Sequence, residues 1–319
     1  MWEPLPTNSA GFLRVSRGSK IVRAIPNRQE VLVYTDASLY SLQFTGTTDV
    51  FALQELADNI SIISPRAVTT TNNISYWMGI DKFYMYDGRV KPLPTTVWQY
   101  VYKDINVFQA DQIVSGTNEG FNEVWWFYPS ATSNWNDRYV IYNYLADCWY
   151  FGTIVRTAWL DTSLRPYPYA ATTPPPADPV NAPLDQDPGI LYQHEFGVND
   201  DEAPMVSYIQ SNDFDIQQND GETYMLTRRL IPDINFTGST AQAPEVDLAI
   251  RSRNFPGSQF QTDPSDNQRV IETSFGLFTN QVFIRARGRQ LALRVASDDL
   301  GVQWQLGSPR LDARPDGKQ

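Results

Sequence analysis

Along most of the chain, apolar and aromatic residues alternate with polar ones at every second position. This is the pattern of half-buried β-strands. It predicts strands over Val31–Thr35, Ser38–Phe44, Ile74–Met78, Lys82–Tyr86, Glu123–Tyr128 and Arg138–Asn143, all rich in β-branched and aromatic residues. Turn formers separate them. Thr35-Asp36-Ala37 joins the first two into a hairpin, Gly79-Ile80-Asp81 joins the next two, and Asp87-Gly88 follows Tyr86. Further strands are expected at Gly189–Gln193, Met205–Gln210, Tyr224–Thr227, Glu245–Ile250 and Gln281–Ile284. Helical spacing is confined to Val50–Asp58, which is expected to form a short helical turn.

The hairpins share a phrase, a strand and a polar turn leading into an aromatic strand such as Leu39–Leu42, Phe83–Tyr86 or Cys148–Phe151. Antiparallel hairpins recurring in this way predict a mainly β protein with β-propeller-like blades and an additional C-terminal β-sheet region, the alternative being β-sandwiches. Residues 1–164 are assigned to the blades. Residues 165–188 hold eight prolines, which rule out a regular ladder and predict an extended surface loop, or an arm packed on a neighbouring subunit. Residues 189–223 read as a further, acidic blade, and residues 224–319 as a C-terminal β region carrying an arginine-rich strand.

A chain of 319 residues with 42% hydrophobic and 13% aromatic content can bury a large core. Its formal net charge of -11 argues against a general nucleic-acid binder, which carries a basic stripe over much of its surface. The charge is uneven, however. Residues 1–224 are strongly acidic, whereas from Met225 onward cations slightly outnumber carboxylates. Cys148 is the single cysteine, so no intrachain disulfide forms. Met1–Leu13 lacks the basic start and apolar run of a secretion signal, and no apolar run reaches membrane-spanning length, so folding in a cytoplasm is expected.

The candidate chemistry is sparse. His194 is the only histidine, and it precedes Glu195 at a strand end, where adjacent side chains point to opposite faces. It is expected to be a hydrogen-bonded structural residue. No phosphate loop, Cys/His cluster or nucleophile elbow occurs, so no catalytic residue, metal ligand or cofactor site is assigned and no enzymatic activity is expected. Asp200, Asp201, Glu202, Asp213 and Asp215 belong to a stretch rich in carboxylates and without cations, expected as a solvated acidic face that could line a channel and repel phosphates. Trp125 and Trp126 are neighbours on one strand, which predicts a strand covered on both faces.

Arg285, Arg287 and Arg289 alternate along a strand, and Arg294 follows. At a rise of about 3.3 Å per residue their guanidiniums sit roughly 6 to 7 Å apart, suiting carboxylates or phosphates. They are expected to pair with Asp298, Asp299, Asp312 and Asp316 nearby, to dock on an acidic neighbouring subunit, or to contact DNA.

The segments Leu32–Gly46, Phe83–Gly88, Gly120–Pro129, Tyr192–Glu195, Arg287–Gln290, Trp304–Gly307 and Arg310–Gly317 give the chain its resemblance to a family. It resembles the tail nozzle and head-completion proteins of short-tailed bacteriophages, also described as DNA-stabilisation or tail tubular proteins. The likeness covers most of the chain but contains no catalytic motif. It implies a structural virion protein with a β-propeller, copies of itself in a six-membered ring below portal and adaptor, and DNA passing without sequence recognition on ejection. Relatives look longer at the N-terminus, so the family's N-terminal part is expected to be missing. The competing expectations are a carbohydrate-binding or glycan-cleaving β-propeller and a receptor-binding tail module.

Overall fold

The computed structural model describes residues 11–46, 50–161, 166–172, 189–200, 203–216, 222–255, 257–258 and 271–318. Alternation becomes architecture first in three consecutive antiparallel meanders. The first comprises β1 (Ile21–Asn27), β2 (Glu30–Thr35), β3 (Ser38–Phe44) and β4 (Phe51–Asp58). The second comprises β5 (Val68–Thr71), β6 (Ile74–Met78), β7 (Phe83–Tyr86) and β8 (Val90–Leu93). After a short helix, α1 (Trp98–Tyr102), the third comprises β9 (Val114–Asn118), β10 (Glu123–Tyr128), β11 (Arg138–Asn143) and β12 (Cys148–Thr153). Each strand pairs with its neighbour in sequence, as the strands of a propeller blade do. A fourth, three-stranded sheet follows with β13 (Ala158–Leu160), β14 (Tyr169–Thr172) and β15 (Ile190–Gln193).

Aromatic rings bind these sheets face to face. Tyr34 of β2 meets Trp77 of β6 edge-on at 5.3 Å, and Phe83 of β7 meets Trp126 of β10 at 4.9 Å. Trp125 of β10 stacks on Trp159 of β13 at 5.2 Å. The chain just before β5 also bridges to β9, since Ser115 N donates to Arg66 O at 2.8 Å. One apolar cluster runs through the first three sheets, from Leu32 and Leu39 through Met78 to Val140, and a smaller one joins the third sheet to the fourth.

The expected strands are present, but Val50–Asp58 is corrected: it forms edge strand β4 and no helical turn. A register shift opposite Leu39 and Tyr40 breaks the two-residue alternation and leaves Leu53, Leu56 and Ala57 half-buried. That spacing of three and four mimics a helix face. The aromatic phrase is also less regular than its sequence suggests. Leu39–Leu42 and Phe83–Tyr86 occupy third strands, whereas Cys148–Phe151 lies on a fourth.

The chain divides into two units, Met1–Phe196 and Gly197–Gln319. The second opens with the two-residue strands β16 (Asn199–Asp200) and β17 (Ala203–Pro204), then β18 (Ser207–Gln210), β19 (Thr223–Ile231), β20 (Ile234–Asn235), β21 (Glu245–Arg253) and β22 (Ile271–Gly276). It continues with β23 (Val282–Gly288), β24 (Gln290–Ser297), β25 (Gln305–Leu306) and β26 (Arg310–Lys318). Two antiparallel sheets, in the orders β18-β24-β21-β22 and β23-β19-β26, share a core of Met225, Leu230, Leu248, Ile250, Ile284 and Leu291 among others. This unit is a β-sandwich. The segment assigned to an acidic blade is thus shared out: β15 closes the fourth sheet of the first unit, and β18 pairs with β24 in the second. The proline-rich segment is corrected in part: Tyr169–Thr172 forms β14, the central strand of the fourth sheet, and no loop, while residues 165 and 173–188 lie outside the described residues. No helix among the described residues is long and apolar enough to cross a membrane.

Candidate functional site

In β23 the burial alternates without a break: Val282, Ile284, Ala286 and Gly288 face the sandwich core, and Phe283, Arg285 and Arg287 face outward. The central strand β19 places Met225 opposite Gly288 and Leu226 opposite Arg287, so Tyr224 and Leu226 share the outer face. A register shift between Thr227 and Arg229 then brings Arg229 opposite Phe283 on one side and Asp312 on the other. On β26 the register sets Arg314 opposite Leu226 and Arg310 opposite Ile231. The three strands therefore carry six arginines (Arg228, Arg229, Arg285, Arg287, Arg310, Arg314) against two carboxylates (Asp312, Asp316), on a chain whose net charge is -11.

The two carboxylates are engaged. Arg287 Nε donates to Asp316 Oδ2 at 2.6 Å, and Arg314 Nε lies 3.6 Å from Asp312 Oδ1. Tyr224 lies under two guanidiniums, with Arg287 4.2 Å and Arg289 5.1 Å from its ring centroid. Cation–π contact of this kind holds the guanidinium planes in place. Among the described residues, Arg228, Arg229, Arg285 and Arg310 form no ion pair.

The arginines named from the sequence are only partly brought together. Arg285 and Arg287 share the outer face of β23, but Arg289 lies beyond its end, where its N–H donates to Arg253 O at 3.1 Å and the chain crosses to the other sheet. Gly288 makes that crossing possible. A Cβ there would lie 2.9 Å from Ser252 Cβ and 3.1 Å from Gln290 O. Arg294, on β24, lies over the Tyr208 ring at 4.1 Å, within the other sheet. Of the acidic residues, Asp200 sits in the β16–β17 hairpin, and Asp213 pairs with Arg253 at 3.0 Å in a partly buried ion pair. Asp215 follows Phe214, which bridges to Leu291, whereas Asp201 and Glu202 lie outside the described residues. Reading for a single arginine strand overlooks Arg228, Arg229, Arg310 and Arg314. The Arg228-Arg229 doublet and the same-face spacing Arg310, Asp312, Arg314, Asp316 were the available signals.

In the first unit His194 has a structural setting. Its Nε2 accepts from Arg156 Nε at 2.8 Å, which leaves the neutral ring protonated on Nδ1, and its ring lies 4.8 Å from Trp159. Burial, then the Arg156 charge, pushes its pKa down to about 4. Two carboxylates lie in the same region. Glu123 accepts from Trp125 Nε1 at 3.0 Å, and Glu195 from Asn118 Nδ2 at 3.0 Å. Burial raises both, and the charge of Glu195 raises Glu123 further. Thr117 donates to Asp161 alongside. The Asn118–Glu195 and Thr117–Asp161 bonds join the third sheet to segments that adjoin the fourth.

No protein-family model matches the chain, and comparison with curated proteins finds no match. What the geometry offers is a cationic sheet face, able to hold several oxyanions at once through guanidinium forks.

Proposed function

We propose that this chain is a structural protein of a bacteriophage tail, one of several copies building the ring-shaped nozzle or head-to-tail connector that retains packaged DNA and conducts it on ejection. The observation that carries this reading is the stack of blade-like meanders joined through Tyr34–Trp77, Phe83–Trp126 and Trp125–Trp159. Such a stack is a stiff wall, and stiffness is what a conduit requires. The edge strands leave apolar groups for neighbouring subunits: Phe51 on β4 is 50% exposed, and Tyr150 and Phe151 on β12 are each 47% exposed. The cationic sheet of the second unit gives the same subunit a surface for an anionic partner. Its place is the virion tail, with assembly in the host cytoplasm and no catalytic turnover.

Negative-stain microscopy and sedimentation of the purified chain test this. Rings with an axial hole, or copurification with portal and adaptor subunits, are expected. A chain that stays monomeric at every concentration and ignores those subunits overturns it.

A second reading, saccharide recognition, is favoured by an open groove of about 640 Å³ lined by Thr95, Thr96, Trp98, Gln99, Tyr100 and Phe151. Tyr100 and Phe151 lie 4.0 Å apart there, and Trp98 is fixed by its Nε1 bond to Asp81 O at 2.6 Å. Flat rings beside hydroxyl and amide groups suit a sugar. A thermal shift on adding glycans, lost in Trp98→Ala, would support it over the first reading.

A further inference from the structure

We propose that the outer face of the β23-β19-β26 sheet binds the phosphodiester backbone of a nucleic acid strand without reading its sequence. This deepens the tail reading by naming the anion, and rests on that reading only for where the nucleic acid comes from.

Charge gives the first argument. An acidic protein has every reason to disperse its cations, yet six arginines share one three-stranded sheet with only two carboxylates. Arg287 and Arg314 are turned toward Asp316 and Asp312, while Arg228, Arg229, Arg285 and Arg310 have no ion-pair partner among the described residues. Unpaired guanidiniums on an exposed sheet repel one another, and a polyanion laid across them removes that repulsion.

Geometry gives the second. Arg285 and Arg287 stand two residues apart on one face, about 6 to 7 Å by strand geometry, so each guanidinium can grip one phosphate of an extended strand. Aromatic rings lie among them. Phe283 is 75% exposed opposite Arg229, and Tyr224 lies under Arg287 and Arg289. An exposed ring on a cationic face, as Phe283 is, offers a stacking platform that accepts any base.

The competing occupant is an acidic face of a second copy. In the blades, however, Glu55 and Asp58 hold Arg17, Asp87 holds Lys91 and Asp104 holds Arg138, while Asp36 and Asp137 accept from Ser19 and Ser130. Docking of these carboxylates on the arginine sheet would compete with those bonds. A nucleic acid brings phosphates whose counterions are simply released.

The test uses the full chain and fluorescent 30-nucleotide DNA, single-stranded and duplex, with random sequence. Binding of either form is expected at low salt, with affinity falling steeply as salt rises. Replacing Arg228, Arg229 and Arg285 by Ser is expected to weaken binding at least tenfold and to lower the salt slope by about 2. The single change Arg285→Ser, measured alongside with a thermal melt, guards against misfolding of the triple variant. Arg89→Ser, on the first unit, is expected to leave binding unchanged. Loss of single-strand binding alone in Phe283→Ser would show that a base stacks on this ring beside phosphates held by the arginines, and would support the proposal. No binding to either form, binding indifferent to all the arginine changes, or arginine changes that abolish self-association alone would overturn it. Rings that bind no DNA defeat this proposal and leave the tail reading standing, whereas monomers that bind DNA through this sheet do the reverse.

Discussion

Trp125 and Trp126 leave adjacent positions of β10 in opposite directions, and each joins β10 to a different neighbouring sheet. Trp126, fully buried, lies 4.9 Å from Phe83 of the second meander, and its Nε1 donates to Ala67 O at 3.0 Å. Trp125 stacks on Trp159 of the fourth sheet at 5.2 Å, with the planes 17° apart. Because successive strand residues face opposite ways, one dipeptide is enough to couple three sheets. The third meander is therefore the mechanical centre of the first unit.

Removing either ring should separate the two interfaces. Trp126→Ala is expected to cost about 3–5 kcal/mol, the range for deleting a buried aromatic side chain. Trp126→Phe keeps most of the volume and leaves the Ala67 carbonyl its bond from Met78 N, so it should cost only about 0.5–1.5 kcal/mol for the hydrogen bond lost. Trp125→Ala should instead loosen the fourth sheet, seen as faster amide hydrogen exchange in Ala158–Leu160 and Tyr169–Thr172 with the second meander unaffected. Urea unfolding and hydrogen exchange check both outcomes.

Gly116 offers a sharper probe of the same contact. It lies beneath the Trp159 indole, and a Cβ built on it would collide with the ring. Gly116→Ala is expected to displace Trp159, break its Nε1 bond to Thr117 O and destabilise the unit by about 1–3 kcal/mol. A shifted tryptophan emission together with a lower unfolding midpoint would be the signature. An unchanged spectrum would mean that the ring is not held there.

His194 should give stability a pH dependence of definite sign. Its pKa falls from 6.5 to about 4 on folding, because burial and the Arg156 charge oppose the imidazolium. The unfolded chain therefore takes up the proton first as pH drops. The stabilisation is complete above about 6.5 and is lost as pH falls toward about 4. Glu123 and Glu195 act in the opposite sense, since their raised values favour the folded state at acid pH. His194→Gln keeps an acceptor for Arg156 but does not titrate, so its denaturation midpoint should fall less than that of the unaltered chain between those pH values. Parallel curves for the two proteins would contradict this setting for the imidazole.

Much of the fold was legible because its strands are short, aromatic and closed by definite turns. Ser38–Phe44, Ile74–Met78, Glu123–Tyr128 and Arg138–Asn143 end where the alternation ends. The Val50–Asp58 strand was not legible, since a bulge disguised its period. The arginine sheet was visible only along β23. Alternation identifies residues sharing a face of one strand, but which strands lie beside it depends on pairing between residues such as Leu226 and Arg314, far apart in sequence. The Glu123 and Glu195 environment was hidden for the same reason, because it exists only once the third and fourth sheets meet.

The pairing of Arg287 with Asp316 separates stability from binding. Their side chains are 46% and 43% exposed, so solvent screens the pair and its contribution to folding is small, about 0–1 kcal/mol. In Asp316→Asn the neutral amide no longer offsets the guanidinium, and Arg287 is already held in place over Tyr224. The melting temperature should therefore barely move, while affinity for a DNA oligonucleotide should rise severalfold at low salt, with the salt dependence steeper by up to about 1. Charge reversal in Arg287→Glu should weaken binding by more than the neutral change Arg287→Gln, again with little loss of stability. If Asp316→Asn instead melted the sandwich and left DNA affinity unchanged, the carboxylate would be a structural clasp for β26, and the cationic face would have to be sought without Arg287.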